Sequence, residues 1–151
     1  MVYFLWNFVH AGLVFVAPLK LFNIKTTILQ KVIFTLFYGV GVILSRNIYT
    51  LSDAIPFGTH TILLIILNVL LLKIIIKDLS WLKSLNIVLL VVVVLLINDA
   101  LIVGPFFRYF DITTTQLQKS DSLSLLLRPI VDSGLIIMYI IALVKNRIKK
   151  K

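Results

Sequence analysis

Residues 84–104, SLNIVLLVVVVLLINDALIVG, constrain the fold more than any other part of the chain. The run lacks the regular apolar and polar alternation of a membrane β-barrel strand. It has the length of about 20 residues that a helix needs to cross the hydrocarbon core of a bilayer. Because lipid offers the backbone no hydrogen-bond partners, a run rich in Val and Ile must still form a helix there. The sequence therefore predicts a transmembrane helix.

Further apolar runs surround this one. With 60% hydrophobic residues and a mean hydropathy of +1.09, the chain is far more apolar than soluble proteins are. We expect an all-α, polytopic membrane bundle of five transmembrane helices over residues 1–144, followed by a basic tail, residues 145–151. The predicted spans run from about Val2 to Leu19, Lys31 to Tyr49, Ile55 to Lys77, Ser84 to Gly104 and Leu123 to Val144.

Local signals support these divisions. Pro18 is expected to end the first span, and Gly104 with Pro105 the fourth. The first span has neither a preceding basic stretch nor a clear cleavage site, so it is predicted to be a retained helix rather than a signal peptide. Gly41 in the second span and Gly134 in the fifth are predicted to be sites of close helix contact.

The distribution of Lys and Arg predicts the orientation. Short cytoplasmic connections collect positive charge, and here the first and third connections and the tail are basic, whereas the second and fourth are not. This alternation fits an odd number of spans in the plasma membrane, with the amino terminus outside and the tail inside. The net charge of +9 then reflects orientation and attraction to anionic lipid. A tail without a folded module gives no reason to expect a nucleic-acid partner.

Polar side chains are predicted to gather in the outer half of the bundle. Charged residues are costly within a bilayer, so they usually face the bundle interior and pair. The predicted ligand-binding residues are Asn7, His10, Arg46, His60, Asp99, Arg128 and Asp132. Arg128 and Asp132 lie four residues apart, which places both on one face of a continuous helix. Asn68 and Asn98 are expected in the same layer.

Two interpretations of these residues stay open. In the structural one, the arginines extend to outer headgroups, the aspartates pair with them, and the histidines form hydrogen bonds between helices. In the functional one, they line an outward-open, water-accessible cavity whose mixed charges bind a small zwitterion or peptide. All five spans contribute to the layer, which favours the functional interpretation.

Enzymatic and metal-binding interpretations are weaker. The sequence VDSG at residues 131–134 matches a motif of aspartic proteases, but here it lies inside a predicted helix. Asp99 and Asp132 suit an intramembrane aspartyl protease only if their carboxyl groups meet. The chain has no cysteine and no histidine spacing typical of a metal site. We expect no enzymatic activity, metal or cofactor.

Two stretches, ILSRNIYTLSDAIPFGTHTILLIILNVLLLKIIIK and LLLRPIVDSGLIIMYIIALVKNRIKKK, resemble the N-terminal membrane sensor region of Firmicute sensor histidine kinases of the GHKL type. That pattern comprises an arginine late in the second segment, a Pro-Phe-Gly-x-His-Thr turn, an acidic residue in the fourth segment and a Leu-Leu-Arg start to the last. The matching residues here are Arg46, Pro56, Phe57, Gly58, His60, Thr61, Asp99 and Arg128. Such kinases continue into a phosphoacceptor helix and an ATP-binding domain, whereas this sequence ends at Lys151. The resemblance therefore implies a free-standing sensor or the membrane part of a longer kinase.

Three functions are open at this point. The first is a sensor module that binds an extracellular small molecule or peptide and moves its helices, with a second copy or a cytoplasmic kinase as the protein partner. The second is a small transporter or channel subunit in which the same residues form a proton or solute path. The third is an accessory subunit whose polar residues only hold helices together. All three place the chain in a lipid bilayer.

Overall fold

The computed structural model describes residues 2–47, 59–112 and 121–148, which are helical apart from short connections. No strand occurs in these ranges, so the predicted all-α class is confirmed. The helices are α1 (Val2–Leu21), α2 (Ile28–Asn47), α3 (Thr59–Ile75), α4 (Trp81–Asn98), α5 (Gly104–Tyr109), α6 (Asp121–Val131) and α7 (Ser133–Ile148). A π-helical turn, Asp99–Val103, joins α4 to α5.

Helix α1 occupies the centre of the bundle. It packs against α2, α4, α6 and α7, while α3 packs between α2 and α4. Ala11, Phe15 and Ala17 on α1 are fully buried, and the Phe15 ring lies 4.5 Å from the ring of Phe34 on α2. Small residues allow close approach elsewhere, since a Cβ atom at Gly41 would collide with Leu67 on α3. The predicted close contact at Gly41 is confirmed.

The outer surface of the helices is apolar. Leu36 on α2, Leu101 on the π turn and Ile141 on α7 are more than half exposed, and many other large apolar side chains are too. Two helices, 28–45 and 81–109, are long and apolar enough to cross a membrane. A third candidate is the pair α6 and α7, bent by 60° at the break between them, and α1 and α3 are shorter apolar helices. Two or three candidate spans in the described ranges are compatible with a membrane protein.

Helix α1 continues beyond Pro18, where we expected it to end. Proline removes only one backbone donor, and the next turn forms because the N–H of Phe22 donates to the Pro18 carbonyl at 3.0 Å. The helix ends instead near Asn23, which has the left-handed backbone conformation (φ 56°) typical of a helix C-terminus. The last residue of α1, Leu21, therefore lies three residues beyond the proline.

The fourth predicted span also continues past its expected end. The wider π turn carries the helix through Gly104 and Pro105, with the Gly104 N–H donating to the Asp99 carbonyl. Pro105 lies at the start of α5, where a missing N–H costs little. The combined helix reaches Tyr109, so polar Asp99 lies inside it rather than near its end.

The fifth predicted span is not one continuous helix. It breaks at Asp132, between α6 and α7, with the bend of 60°. Pro129 lies within the last turn of α6, and side chains from α4 and α7 bind carbonyls at the break. The sequence VDSG therefore spans the bend: Val131 ends α6, Asp132 is the turn residue, and Ser133 and Gly134 begin α7.

The basic connections meet at one end of the bundle. The Asn146 side chain of α7 donates from Nδ2 to the Lys20 carbonyl at the end of α1, at 3.1 Å. Gln30 at the start of α2 donates from Nε2 to the Ile75 carbonyl at the end of α3, at 2.9 Å. We call this end the basic end; its described Lys and Arg residues are Lys20, Lys25, Lys31, Lys73, Lys77, Lys83, Lys145 and Arg147.

Candidate functional site at a broken helix

The centre of the site is the carboxylate of Asp132, which is 1% exposed. The indole Nε1 of Trp6 donates to its Oδ2 at 2.7 Å. The imidazole Nδ1 of His10 lies 2.6 Å from its Oδ1. Trp6 and His10 are four residues apart and therefore share one face of α1. Side chains of α1 thus contact both carboxylate oxygens of Asp132, the residue at the break.

Trp6 and His10 differ in the hydrogen bonds that they can form with the Asp132 carboxylate. Indole is only a donor, so Trp6 requires an acceptor oxygen on Asp132. Imidazole donates from Nδ1 both as the cation and as the neutral tautomer protonated there, and a contact of 2.6 Å is short for a charge-assisted hydrogen bond. The Asp132 carboxylate therefore joins two side chains of α1 to the break between α6 and α7.

The backbone at the break is satisfied by side chains. Asn98 Nδ2 donates to the Val131 carbonyl at 2.8 Å, and the Ser133 hydroxyl donates to the Ile130 carbonyl at 2.8 Å. The same hydroxyl lies 2.6 Å from Oδ1 of Asn98. Carbonyl groups freed by a broken helix need such partners when no water is available. Asn98, at the end of α4, therefore holds the bend between α6 and α7.

A groove lies along the π turn and α5, beginning at the residue that follows Asn98. Asp99, the next residue along the chain, begins the π turn and interacts electrostatically with both Asp132 and His10. A cavity of about 530 Å³ opens here and is lined by Asp99, Ala100, Gly104, Pro105, Arg108 and Tyr109. We call it the outer groove. It contains one acidic and one basic side chain, so it can contact both charges of a zwitterion.

Three of the predicted site residues meet or lie close together. His10 and Asp132 are in direct contact, and Asp99 is their electrostatic neighbour. Asn7 is 1% exposed, on the same stretch of α1. Arg128 is buried one turn before the break, and its carbonyl accepts from the Asp132 N–H at 3.0 Å. The described polar layer therefore includes α1, the π turn and the break.

The expected pairing of Asp132 with Arg128 is not observed, and the side chain of Arg46 is not described. The side chain of Asp132 pairs with Trp6 and His10 rather than with Arg128, because α1 packs against the break on both α6 and α7. His60 lies in the first turn of α3, where its Nε2 and the Thr61 hydroxyl are 3.2 Å apart, and it is not a partner of Asp132. The Arg46 side chain and the turn 56–58 lie outside the described part of the chain.

Sequence reasoning missed three participants. Trp6 and Ser133 were not among the predicted site residues, and Asn98 was placed in the polar layer without a role. The spacing of four between Trp6 and His10 was the available signal for a shared face. A Cβ atom at Gly134 would lie 2.9 Å from Asn98 Cβ, which confirms the predicted close contact there.

No family model matches this chain, and no curated protein or solved structure matches it either. The resemblance to the membrane region of sensor kinases stays a prediction.

Proposed function

We propose that the chain is a five-span sensor module of the plasma membrane that binds a small ligand in the outer groove and transmits helix movement toward the basic end. The basic end would face the cytoplasm, as the distribution of Lys and Arg suggests. A zwitterion suits the groove, since its amine can contact Asp99 and its carboxylate Arg108. A protein partner at the basic end would receive the movement.

One observation carries the proposal: Asp99 lines the groove, while its neighbour Asn98 holds the carbonyls of the broken helix. A ligand that pulls on the π turn would change the position of Asn98. Because Asn98 binds the Val131 carbonyl, the bend between α6 and α7 would change with it. A ligand shifts such an equilibrium by its difference in affinity between the two arrangements.

Helix α7 provides the route to the basic end. Its first turn is held near Asn98 through Ser133, and its last turn is held to α1 through Asn146. A change of bend angle at one end of α7 therefore moves the other end unless the contact with Lys20 yields. Broken helices that line cavities serve as ligand sites in many membrane proteins.

The test uses the absence of cysteine from the chain. The side chains of Leu126 on α6 and Ile140 on α7 are both more than half exposed. Spin labels attached to cysteines in the double variant Leu126→Cys and Ile140→Cys report the distance across the break. We expect this distance to change when free amino acids are added to protein in lipid nanodiscs, and Asp99→Asn or Arg108→Gln to abolish the change. Lys77→Gln, at the basic end, is the matched control. An unchanged distance with every amino acid and with short peptides would contradict the proposal.

The second candidate, a proton-conducting transporter or channel subunit, is favoured by the contact between His10 and Asp132. Intramembrane ionisable residues of this kind form proton relays in transporters. Liposomes containing the protein and a pH-sensitive dye would report flux. Flux that is lost in Asp132→Asn would favour this candidate, whereas ligand-dependent movement without flux favours the sensor.

A further inference from the structure

We infer that the outer groove takes its ligand from the bilayer, and that this ligand is an amphiphilic amine. The inference deepens the proposed function and rests on it, since it names the ligand class of the same groove. Three features of the groove support it. The groove opens toward lipid, it reaches below the level of the lipid headgroups, and its acidic side chain has no described hydrogen-bond partner.

The groove opens sideways, away from the bundle. The residues that line it are all exposed. On the same stretch of helix, the apolar side chains of Leu96, Ile97 and Leu101 are each more than half exposed. Lipid covers an apolar face of this kind in a membrane protein. A molecule dissolved in the bilayer therefore reaches the groove without passing between the helices.

The depth of the groove follows from the length of its helix. The helical stretch 81–109 has 29 residues and is about 43 Å long, which matches a bilayer of about 40 to 45 Å including its headgroups. The exposed rings of Trp81 and Tyr109 then lie at the two interfaces. Arg108 lies at headgroup level beside Tyr109, whereas Asp99 lies about 15 Å below it. The acidic end of the groove is therefore beneath the headgroups.

Asp99 determines which charge the ligand must carry. Its carboxylate forms no hydrogen bond or ion pair within the described part of the chain, although Asp132 and His10 are near enough to interact with it electrostatically. A charged side chain at this depth is costly and is usually paired. A primary ammonium group supplies both a positive charge and three N–H donors. The deeper end of the groove is therefore complementary to an amine.

The remaining lining residues indicate what the amine is attached to. Ala100, Gly104 and Pro105 have small or apolar side chains without hydrogen-bonding groups, so they leave room for hydrocarbon beside Asp99. Arg108, at headgroup level, can contact an acidic group of the ligand or a lipid phosphate. An amphiphile with a primary amine satisfies both the charge of the groove and its opening toward lipid.

Photolabelling in nanodiscs of phosphatidylcholine tests the inference. The probe is a long-chain primary amine that carries a diazirine in its alkyl chain, and the comparison probe is the corresponding alcohol. We expect mass spectrometry to locate amine labelling within residues 96–109, at about ten times the level of the alcohol, as one charge-assisted hydrogen bond would give. Asp99→Asn should bring this ratio close to one. Excess ethylamine, which stays in water, should not compete.

Asp111→Asn is the matched control. Asp111 is an exposed acid just beyond the same helix, and it does not line the groove. Its substitution should leave the ratio unchanged, and equal labelling of the parent and Asp99→Asn by the alcohol would show that the variant keeps its fold. Equal labelling of the parent by the two probes would overturn the inference. An unchanged ratio in Asp99→Asn, or competition by ethylamine, would do the same.

The spin-label distance between positions 126 and 140 separates this inference from the sensor role. Selective labelling by the amine without a change of that distance would support the inference and contradict the sensor role. A distance change caused by free amino acids, without selectivity for the amine, would support the sensor role and overturn the inference.

Discussion

The two ends of the bundle differ in which side chains bind the backbone carbonyls that have no helical partner. At the basic end, the side chains of half-buried residues bind the carbonyls of helix ends: the Lys73 amine, for example, donates to the carbonyls of Lys77 and Leu79 after α3, at 3.0 and 2.7 Å. Cations suit the C-terminal ends of helices. At the other end, carbonyls released within a helix are satisfied by Asn98 and Ser133 from packed helices. We call this second region the polar end.

This difference indicates which end of the bundle depends more on particular side chains. The side chains that make contacts at the basic end, those of Gln30, Lys73 and Asn146, belong to residues that are only partly buried, so water can replace part of a lost contact there. The polar end relies on buried groups with defined partners, and a buried polar group left without one is costly. Substitutions at the polar end should therefore reduce stability more than substitutions at the basic end do.

The largest effect is expected for Asp132→Ala. Removing one member of a buried ion pair typically costs about 3 to 5 kcal/mol, and here both Trp6 and His10 lose their acceptor. Reversible unfolding in mixed detergent micelles measures the change. A loss below that of the basic-end variant Asn146→Ala would contradict the contrast between the ends.

Gly134→Ala should come next. The new Cβ atom would lie 2.9 Å from Asn98 Cβ and 3.2 Å from a methyl group of Val94, and overpacking of this kind costs about 1 to 3 kcal/mol. Gly12→Ala is the matched control, because a Cβ atom there meets Thr35 at an ordinary 3.6 Å. Equal unfolding free energies for the two variants would show that α4 and α7 separate easily.

A smaller loss, about 1 to 2 kcal/mol, is expected for Asn98→Ala, which removes hydrogen bonds between α4 and the break. Asn86→Ala changes the same residue type on an exposed face of the same helix and should change stability little. The spin-label distance between positions 126 and 140 should also broaden in Asn98→Ala alone. A narrow, unchanged distance would mean that Pro129 fixes the bend by itself.

The smallest effect is expected for Asn146→Ala at the basic end. Its one described hydrogen bond, to the Lys20 carbonyl at 3.1 Å, is worth about 0.5 to 1 kcal/mol. The same unfolding measurement applies. A loss as large as that of Asp132→Ala would show that the two ends contribute equally.

The helical class and the apolar surface followed from the sequence because lipid leaves a long apolar run few alternatives to a helix. The same argument identified Asp132 and His10 as unusual, since ionisable residues in such runs need a reason to be there. The close contacts at Gly41 and Gly134 were also predictable, because small residues are where membrane helices approach. Each of these inferences depends on local composition alone.

Which polar groups meet was decided by tertiary structure. Arg128 was the nearest candidate partner of Asp132 along the chain, yet Trp6 and His10, more than 120 residues away, bind it. Sequence spacing assumes a continuous helix, and the break at Asp132 exists because Asn98 and Ser133 satisfy the carbonyls it exposes. A helix bends where distant side chains replace its own hydrogen bonds, and only packing brings those side chains within reach.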